Sequence, residues 1–338
     1  MLKLSICIPN YNRSKYLLNC LNSILIAKNI SKLDFEVCIS DNKSDEKISP
    51  IIDRFNKKYK IIFKRNKKNI GVAKNIIKSV SMAKGEFVWI LGNDDLVLPN
   101  AFKILEKLFD ANSEVEFYYI NSFNIDNNFI KKDNLPLNTK KINFSKFKKF
   151  SNYKISEKKN FFELINPFIS FEFLLSMNMC VFRRINWVKN TNKINKKNLN
   201  DERLYSNFDN TAPHVKIWSA AFNDKKSYFL SKPLSANIHG PRTEDWGSHY
   251  PLVEGIRIPE ALECYRRNGM SFTRYYLCKS FALRRLIPAI FKIIFNKNYY
   301  GLEHVRLRKN IINCLLYPTT YFFGIYFLLK KFFKTIKS

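Results

Sequence analysis

Short apolar runs alternate with segments of helical periodicity from residue 4 to about residue 122, and this alternation restricts the possible folds more than any other feature. The runs are rich in β-favouring residues and predict strands at 4–8, 35–40, 60–64, 86–91 and 115–120. Helices are predicted between the first two strands and over 71–83 and 99–110. Strands that alternate with helices form mostly parallel sheets with helices on both faces. The sequence therefore predicts an α/β fold with a Rossmann-like sheet.

The chain beyond residue 122 has a different pattern. Residues 131–160 are rich in Lys and Asn, which predicts a mobile insertion or a linker. Mixed order returns over 161–250, where DNTAPHVKIWSAAF predicts a helix, and the chain after 251 is helical and aromatic. We therefore predict three regions, namely 1–122, 123–250 and 251–338.

The composition is strongly basic, with 58 Lys and Arg against 28 Asp and Glu and a net charge of +30. This excess favours nucleic acid, phosphorylated substrates or acidic lipid as partners, although a codon bias towards Lys and Asn explains it equally well. The seven cysteines form no CxxC pair and lie mostly in apolar runs, which indicates a reducing compartment without a metal cluster. The N-terminal apolar stretch is too short for a signal peptide and breaks at Pro9, so we expect a cytoplasmic protein.

Organised polar segments follow the first four predicted strands. In chain order they are PNYNR, SDNKSDE, RNKKNIGVAKN and GNDD. Ligands of open α/β sheets bind beyond the carboxyl ends of the strands, near the topological switch point. The sequence therefore predicts a ligand crevice where these four segments meet.

Two adjacent acids, Asp94 and Asp95, end the fourth segment. Side by side they cost free energy unless a cation shares them, and no cationic partner is evident nearby in the sequence. One interpretation is a turn that, with Asn93, caps a helix opening at Pro99. The other is a site for Mg²⁺ or Mn²⁺, which take oxygen ligands and keep waters and substrate phosphates in their shell.

The motifs SICIPNYNR, ISDNKSDE, NIGVAKNI and GEFVWILGNDDLVLP occur in an order and spacing that resembles the family 2 glycosyltransferases with the GT-A fold. The resemblance covers about residues 3–120. It implies that Asp94 and Asp95 occupy the place of the family's DxD metal motif, with Mg²⁺ or Mn²⁺ as cofactor. It also implies nucleoside contacts from Pro9, Tyr11, Asn12 and Asp41, and diphosphate contacts from Gly71 and Lys74.

Gly92 departs from the family pattern, in which many relatives carry an acid at this place. Metal binding then depends on Asp94 and Asp95 alone, and Asn93 becomes a candidate ribose contact. The GNDD form is similar to a branch of the family that includes abequosyltransferases of bacterial surface polysaccharides.

Inverting transfer requires a general base for the acceptor hydroxyl. The family supplies a carboxylate at a helix start, and here Asp209 fits best, ahead of Asp201 and Glu202; a plain helix cap explains Asp209 equally well. His214 is a second candidate as base or acceptor-orienting group, against a structural role beside Pro213. The loop at 237–251 places Arg242 where it can close on the diphosphate, unless the loop is only an exposed connection.

The resemblance implies a donor-binding half at 1–122, an acceptor-binding half at 123–250 and a helical region at 251–338. The implied activity is inverting transfer of a sugar from a nucleotide-sugar donor to a saccharide acceptor, expected to be lipid-linked. A nucleotidyltransferase is the first alternative, but PNYNRSKY lacks the glycines of its signature loop. A nucleic-acid-binding protein is the second, but the chain has no C₂H₂ pattern, RNP1 motif or basic zipper.

Residues 311–329 are apolar and aromatic, but Asn313 and Pro318 interrupt them. A membrane span needs about 20 predominantly apolar residues, so this segment is borderline. Basic residues flank it on both sides, which suits a segment lying among acidic headgroups. We expect peripheral attachment to the inner face of the cytoplasmic membrane; the alternative is a helix packed on the catalytic domain.

Overall fold

The computed structural model describes residues 2–130, 135–169, 176–239 and 246–336. The chain forms two compact units. The sheet unit comprises Met1–Lys193 and Ala220–Gly240, and the helical unit comprises Ile194–Ser219 and Pro241–Ser338. These boundaries differ from the predicted ones at 122 and 250, because residues beyond 122 add strands to the same sheet. The functions assigned to the three predicted regions stay predictions.

Ten strands form one sheet within the described residues. They are β1 (Leu4–Asn10), β2 (Phe35–Asp41), β3 (Ile61–Arg65), β4 (Phe87–Ile90), β5 (Asp95–Val97), β6 (Phe117–Asp126), β7 (Lys148–Lys149), β8 (Glu157–Asn160), β9 (Cys180–Arg183) and β10 (Lys226–His239). Their order is β3-β2-β1-β4-β9-β6-β10-β5, with β7 paired to β6 and β8 paired to β10.

The α-helices of the described residues are α1 (Ser14–Lys28), α2 (Ser49–Asn56), α3 (Val72–Ser81), α4 (Ala101–Ala111), α5 (Asn127–Ile130), α6 (Arg184–Asn190), α7 (Lys196–Leu199), α8 (Phe208–Thr211), α9 (Pro213–Ala221), α10 (Tyr250–Leu252), α11 (Ile258–Arg267), α12 (Phe272–Leu283), α13 (Leu286–Phe295), α14 (Leu307–Leu316) and α15 (Thr319–Ile336). A π-helical turn at Val253–Arg257 lies between α10 and α11.

The five predicted strands are present as β1, β2, β3, β4 and β6, and the predicted helices between them as α1, α3 and α4. The block β3-β2-β1-β4 is parallel throughout. Its register pairs Asn10 with Asp41 at the carboxyl ends of β1 and β2. Apolar side chains from both faces of β1, β2 and β4 are buried, as expected for a parallel sheet covered by helices, whereas those of the edge strand β3 are half-buried.

The other half of the sheet is mixed, and β6 is its one predicted strand among the described residues. β9 lies between β4 and β6 and is antiparallel to both, whereas β10 is parallel to β6 and antiparallel to β5. Four residues of β9 give too short a pattern to identify from sequence. Pairing of Asp95 with Asn237 makes one of the two adjacent acids a strand residue rather than a turn residue.

The predicted helix in DNTAPHVKIWSAAF is present but broken into α8 and α9. The break falls before Pro213, which lacks the N–H that would continue α8. In the helical unit, Leu252, Leu283 and Leu286 belong to an apolar cluster of their own. No single helix of the described residues is long and apolar enough to cross a bilayer; by length and composition alone, the pair Arg308–Leu316 and Thr319–Leu329 passes that test together, bent by 101°.

Candidate active site at the strand ends

Asn10, at the end of β1, and Asp41, at the end of β2, begin a buried polar network. The Asn10 Nδ2 atom donates to Asp41 Oδ1 at 2.9 Å and to Ser44 Oγ at 3.3 Å. Ser44 donates to the same carboxylate through its hydroxyl and through its backbone N–H. Arg65 adds a cation, with its Nε 3.6 Å from Asp41 Oδ2. Asp41 is fully buried, so this carboxylate fixes the loop between β2 and α2 against β1.

The turn after β1 places two consecutive non-glycine residues in the left-handed region, Asn12 with φ 52° and Arg13 with φ 62°. Such conformations cost free energy and persist only where the surroundings hold them. Here the Asn12 N–H donates to Ser44 Oγ at 2.7 Å, and Asn12 Oδ1 accepts from the backbone of Asp45 at 2.8 Å. Tyr11 is 43% exposed beside this turn, and Pro9 is half-buried.

Glu46 holds the start of α1. Its carboxylate accepts the backbone N–H groups of Arg13, at 3.0 Å, and of Ser14. Partial burial raises the pKa of Glu46, but hydrogen bonds from Ser14 and Arg13 outweigh that effect and hold the pKa below its ordinary value. An ionised Glu46 at a helix N-terminus also matches the positive end of the helix dipole.

Asparagine side chains connect the ends of β2 and β3 to α3. The Asn42 Oδ1 atom accepts from Asn66 Nδ2 at 3.1 Å and from the Ile70 N–H at 2.9 Å. Asn75, on α3, donates to the carbonyls of Asn10 and Ser40 at 3.2 and 2.9 Å. Each amide bridges two segments, so the network fixes α3 relative to the strand ends.

Gly71 precedes α3 with φ +83°, a conformation that side chains rarely adopt, although a Cβ would meet nothing within 4 Å. Its N–H donates to Asn69 Oδ1 at 2.9 Å. Lys74 is half-buried in the first turn of α3 and forms no ion pair with any described residue. The N-terminus of a helix and a lysine ammonium both favour an anion.

Asp95 is 2% exposed, and two neutral groups donate hydrogen bonds to it. Its Oδ2 accepts the Gly92 N–H at 2.7 Å, and its Oδ1 accepts Asn237 Nδ2 at 2.8 Å. Asn93 is also buried and donates to Asn10 Oδ1 at 2.8 Å. The segment after β4 is therefore tied both to the end of β1 and to β10.

Asp94 has a cationic partner that the sequence did not reveal. The expectation that neither acid has a cationic partner nearby was therefore wrong for Asp94. The Arg13 guanidinium lies 3.0 Å from Asp94 Oδ2, and both side chains are mostly buried. The two residues are far apart in sequence but meet because β1 and β4 are adjacent parallel strands. A planar guanidinium in this position fixes the orientation of the carboxylate.

The absence of a side chain at Gly92 leaves room for the carboxylates of Asp94 and Asp95. A Cβ added there would lie 2.6 Å from Asp94 Oδ1 and 3.0 Å from Asp95 Oδ2. Both distances are shorter than ordinary van der Waals contacts. In this backbone, an acid at position 92 is incompatible with the present positions of Asp94 and Asp95.

The donor set fits a hard divalent cation. No group of three or more His, Cys, Asp or Glu among the described residues is placed to hold a metal ion. Mg²⁺ and Mn²⁺ favour oxygen ligands, and Mg²⁺ is often bound by one or two carboxylates plus phosphates and water. The two carboxylates are adjacent, with Asp95 2% and Asp94 8% exposed, and together they offer oxygen ligands of this kind.

The candidate base Asp209 lies in the helical unit, on α8, and is 3% exposed. Its Oδ1 accepts the Asn195 N–H at 3.0 Å and pairs with Lys216 Nζ at 2.7 Å, while Oδ2 accepts from Asn198 at 3.2 Å. It does not cap α8, because Asn207 forms the capping box with Asn210. The plain-cap interpretation is therefore replaced by a buried ion pair.

The other candidates for the base also lie in the helical unit. His214 is 3% exposed, with its ring edge-on to Trp218 at 4.9 Å between centroids. Hydrogen bonds from Arg203 and Ser206 hold the pKa of Asp201 well below its ordinary value, which makes it a weak base. Glu202 is exposed. Arg242 lies outside the described residues.

Sequence reasoning missed the residues that support the site, namely Asn10, Arg13, Ser44, Asn75 and Asn237. Asn10 and Arg13 stand in the PNYNR segment, but a local pattern does not tell which residue across the sheet they meet. Asn10 carries a sequence signal, an amide directly at the end of an apolar run, whereas Asn75 and Asn237 lie inside α3 and β10.

Comparisons with known proteins agree with this geometry. Residues 5–172, about half of the chain, match the family model Glycosyl transferase family 2. The abequosyltransferase RfbV of Salmonella typhimurium is 40% identical over 114 residues, which are 33% of this chain and 34% of that protein. The match thus spans about a third of the length of that relative.

Two solved structures share the fold. TarS of S. aureus in complex with UDP has a TM-score of 0.57 at 16% identity, covering 89% of this chain and 76% of that chain. The mannosyltransferase PcManGT from Pyrobaculum calidifontis, in complex with GDP-Man and Mn²⁺, has a TM-score of 0.51 at 11% identity, covering 96% and 83%. At these identities the likeness concerns the fold alone, and it confirms the predicted GT-A type. On its family match and its fold, the chain belongs to the family 2 glycosyltransferases.

Proposed function

We propose that the protein transfers a sugar from a nucleotide-sugar donor to a hydroxyl group of a saccharide acceptor, with inversion at the anomeric carbon. The observation that carries the proposal is the Asp94–Asp95 pair, held by Arg13 and Asn237 at the carboxyl end of β4 inside a family 2 domain. The complexes of structural neighbours with UDP and with GDP-Man support a donor of this class.

The nucleoside subsite is assigned to Pro9, Tyr11, Asn12 and Asp41, with Asn93 at the ribose. Tyr11 is the exposed ring of this group and offers a stacking surface. Asp41 acts here by holding Asn10 and Ser44, since a direct bond to the base would require one of its present donors to move. Gly71, Lys74 and the N-terminus of α3 receive the diphosphate, and we assign Arg242 to the same group.

Mg²⁺ or Mn²⁺, when bound by Asp94 and Asp95, would supply positive charge to the diphosphate of the leaving group. The chain's own contribution is orientation. Arg13 holds Asp94 from one side, while Gly92 and Asn237 hold Asp95 from the other. Carboxylates fixed in this way need no reorganisation when charge develops on the diphosphate.

In the transfer step, the acceptor hydroxyl oxygen forms a bond to the anomeric carbon while the bond from that carbon to the diphosphate oxygen breaks. The bonding electrons leave with the nucleoside diphosphate, and the hydroxyl proton passes to the general base. We assign the base to Asp209, with His214 as the second candidate. In the resting structure Lys216 pairs with Asp209 Oδ1, so accepting a proton there requires this contact to loosen.

A thermal-shift panel of UDP, GDP, CDP and dTDP, with and without Mn²⁺, tests the proposed function. A ligand that binds only the folded state stabilises it by about 2.7 kcal/mol at a concentration 100 times its Kd. One nucleotide is expected to raise the Tm, and more strongly with Mn²⁺. If none of the four raises the Tm under either condition, the proposal of a nucleotide-sugar donor is wrong.

Asp209→Asn is expected to lower kcat by about 10² or more, the effect of losing a general base, while donor binding is retained. The measurement is transfer kinetics together with the Tm of each variant, because Asp209 also pairs with Lys216. Asp201→Asn and Glu202→Gln are matched controls from the same segment. If the Asp209→Asn enzyme is active and the Asp201→Asn or Glu202→Gln enzyme is inactive, the base is the acid whose variant is inactive.

The C-terminal helices support the proposal that the enzyme lies on an anionic membrane surface and uses a lipid-linked acceptor. Apolar side chains on α14 and α15 are exposed, including Ile311, Leu315, Leu316, Phe322, Ile325 and Tyr326. Arg306 and Arg308, before this surface, are also exposed, whereas Lys309 pairs with Glu263 at 2.7 Å. Bulky apolar groups next to cations suit the interface between headgroups and acyl chains.

Serine substitutions on this surface are expected to reduce binding to phosphatidylglycerol vesicles by at least about tenfold, because each exposed apolar side chain buries area in the interface. Vesicle flotation is the measurement, and the changed residues are Leu315, Phe322, Ile325 and Tyr326. Four exposed apolar residues elsewhere serve as the matched control, namely Ile155, Phe168, Ile185 and Val188. If the unsubstituted protein does not float with anionic vesicles, the membrane proposal is wrong.

A further inference from the structure

A groove of about 890 Å³ lies in the sheet unit, beside β7 and away from the acids at the end of β4. One wall is the chain from Phe147 to Lys154, and the other is Ser231–Pro233 of β10. Four of its lining residues are lysines, so we call it the lysine groove; they are Lys148, Lys149, Lys154 and Lys232. Its volume is in the range of small-molecule binding sites.

The walls of the lysine groove are fixed by one buried amide. Asn121 on β6 donates from Nδ2 to the carbonyl of Ser151 at 2.8 Å and to that of Ser231 at 2.9 Å. Its Oδ1 accepts the Ser151 N–H at 3.1 Å. The register of β10 against β6 shifts on both sides of Pro233, next to the groove. The groove is thus a built feature of the sheet.

The lysines of the groove differ from neighbouring lysines of the same segment in their ion pairing. Lys158 pairs with Glu114 at 2.6 Å and Lys159 with Glu157 at 3.2 Å. By contrast, none of the four groove lysines forms an ion pair or a side-chain hydrogen bond with a residue in the described part of the chain. No carboxylate lines the groove within that same part. Cations gathered on a concave surface without counter-ions attract an anion.

The groove is separate from the donor site. Asn237 of β10 pairs with Asp95, and Lys232 lies five residues earlier on the same strand. At about 3.3 Å per residue, this is a separation of roughly 16 Å. Lys148 pairs with Asn124, which pairs with Asn237, so its Cα lies three strand spacings, roughly 14 Å, from that of Asp95. Both separations exceed the length of a diphosphate, so the lysines are free to contact a different anionic group from the one at Asp94.

We propose that the lysine groove binds an anionic glycan, a saccharide chain that carries phosphate or carboxylate groups, as part of the acceptor. This role as an acceptor subsite rests on the proposed glycosyl transfer. A concave groove lined by lysines suits a flexible charged chain better than a flat bilayer. The aromatic residue Tyr153 also lines the groove, and its hydroxyl donates to Glu157 at 2.8 Å.

The test compares two variants that remove the same charge. The groove variant carries Lys→Ala at 148, 149, 154 and 232, and the control variant carries Lys→Ala at the exposed positions 57, 58, 103 and 107. Fluorescence anisotropy measures binding of labelled polygalacturonate oligomers, of inorganic polyphosphate and of neutral dextran near physiological salt. Flotation with phosphatidylglycerol vesicles and a thermal shift with nucleotide and Mn²⁺ complete the set.

The groove variant is expected to bind both polyanions about tenfold or more weakly than the wild type, and the control variant within about twofold. Dextran should bind neither protein, and the nucleotide shift should be the same in both. Equal losses of polyanion affinity in the two variants would show that binding depends only on net charge, and would overturn the proposal. A groove variant that loses vesicle binding but keeps polyanion binding would overturn it in favour of a membrane contact. If no nucleotide raises the Tm but the groove variant still binds the polyanions more weakly than the control variant, the proposed function is wrong and the lysine groove remains an anion-binding site.

Discussion

Asp94→Asn is expected to lower kcat/KM for sugar transfer by about 10² to 10³, the usual cost of removing one charge-stabilising group from a preorganised site. Asparagine keeps the shape of the side chain but removes the charge that pairs with Arg13 and that would hold a divalent cation. Steady-state kinetics give the activity, and electron paramagnetic resonance of added Mn²⁺ gives metal binding without any reaction.

Asp110→Asn is the matched control, since Asp110 is an exposed acid on α4. Asp95→Asn should be equally inactive but also less stable, because its carboxylate joins β5 to β10 through Asn237. An Asp94→Asn enzyme with wild-type turnover and unchanged Mn²⁺ binding would remove Asp94 from its assigned role.

Gly92→Asp is expected to abolish most of the transfer activity, although it makes the motif more like the acidic pattern of many relatives. A Cβ at this position lies 2.6 Å from Asp94 Oδ1, so the Asp94 carboxylate must shift, and we expect its contact with Arg13 to be disturbed. Because the new residue displaces Asp94, the loss should approach that of Asp94→Asn, about 10² or more in kcat/KM. The measurement is kinetics together with Mn²⁺ binding.

Gly92→Ala separates the steric effect from the added charge. If sterics dominate, alanine and aspartate should cause similar losses, since both carry the Cβ. Tighter Mn²⁺ binding with preserved activity in Gly92→Asp would show instead that the backbone adjusts and accepts a third acid, contrary to the geometry at Gly92.

Prediction from sequence succeeded for elements whose pattern is local and long. β1, β2, β3, β4 and β6 follow apolar runs, and the positions of the acids after β4 follow from chain order alone. The segment after residue 122 was predicted less well. β9 is a four-residue strand inserted between β4 and β6, and no local pattern reveals that a distant segment completes the sheet.

The sequence by itself determined the family, the parallel half of the sheet and the acids at its carboxyl edge, because motif spacing and apolar periodicity are properties of neighbouring residues. Only the tertiary structure decided what each charge meets. It brought Arg13 to Asp94 and Asn237 to Asp95, and it left the lysines beside Ser231 without counter-ions in the described chain. The physical reason is that the partner of a polar side chain is set by strand order and register, which join residues far apart in sequence.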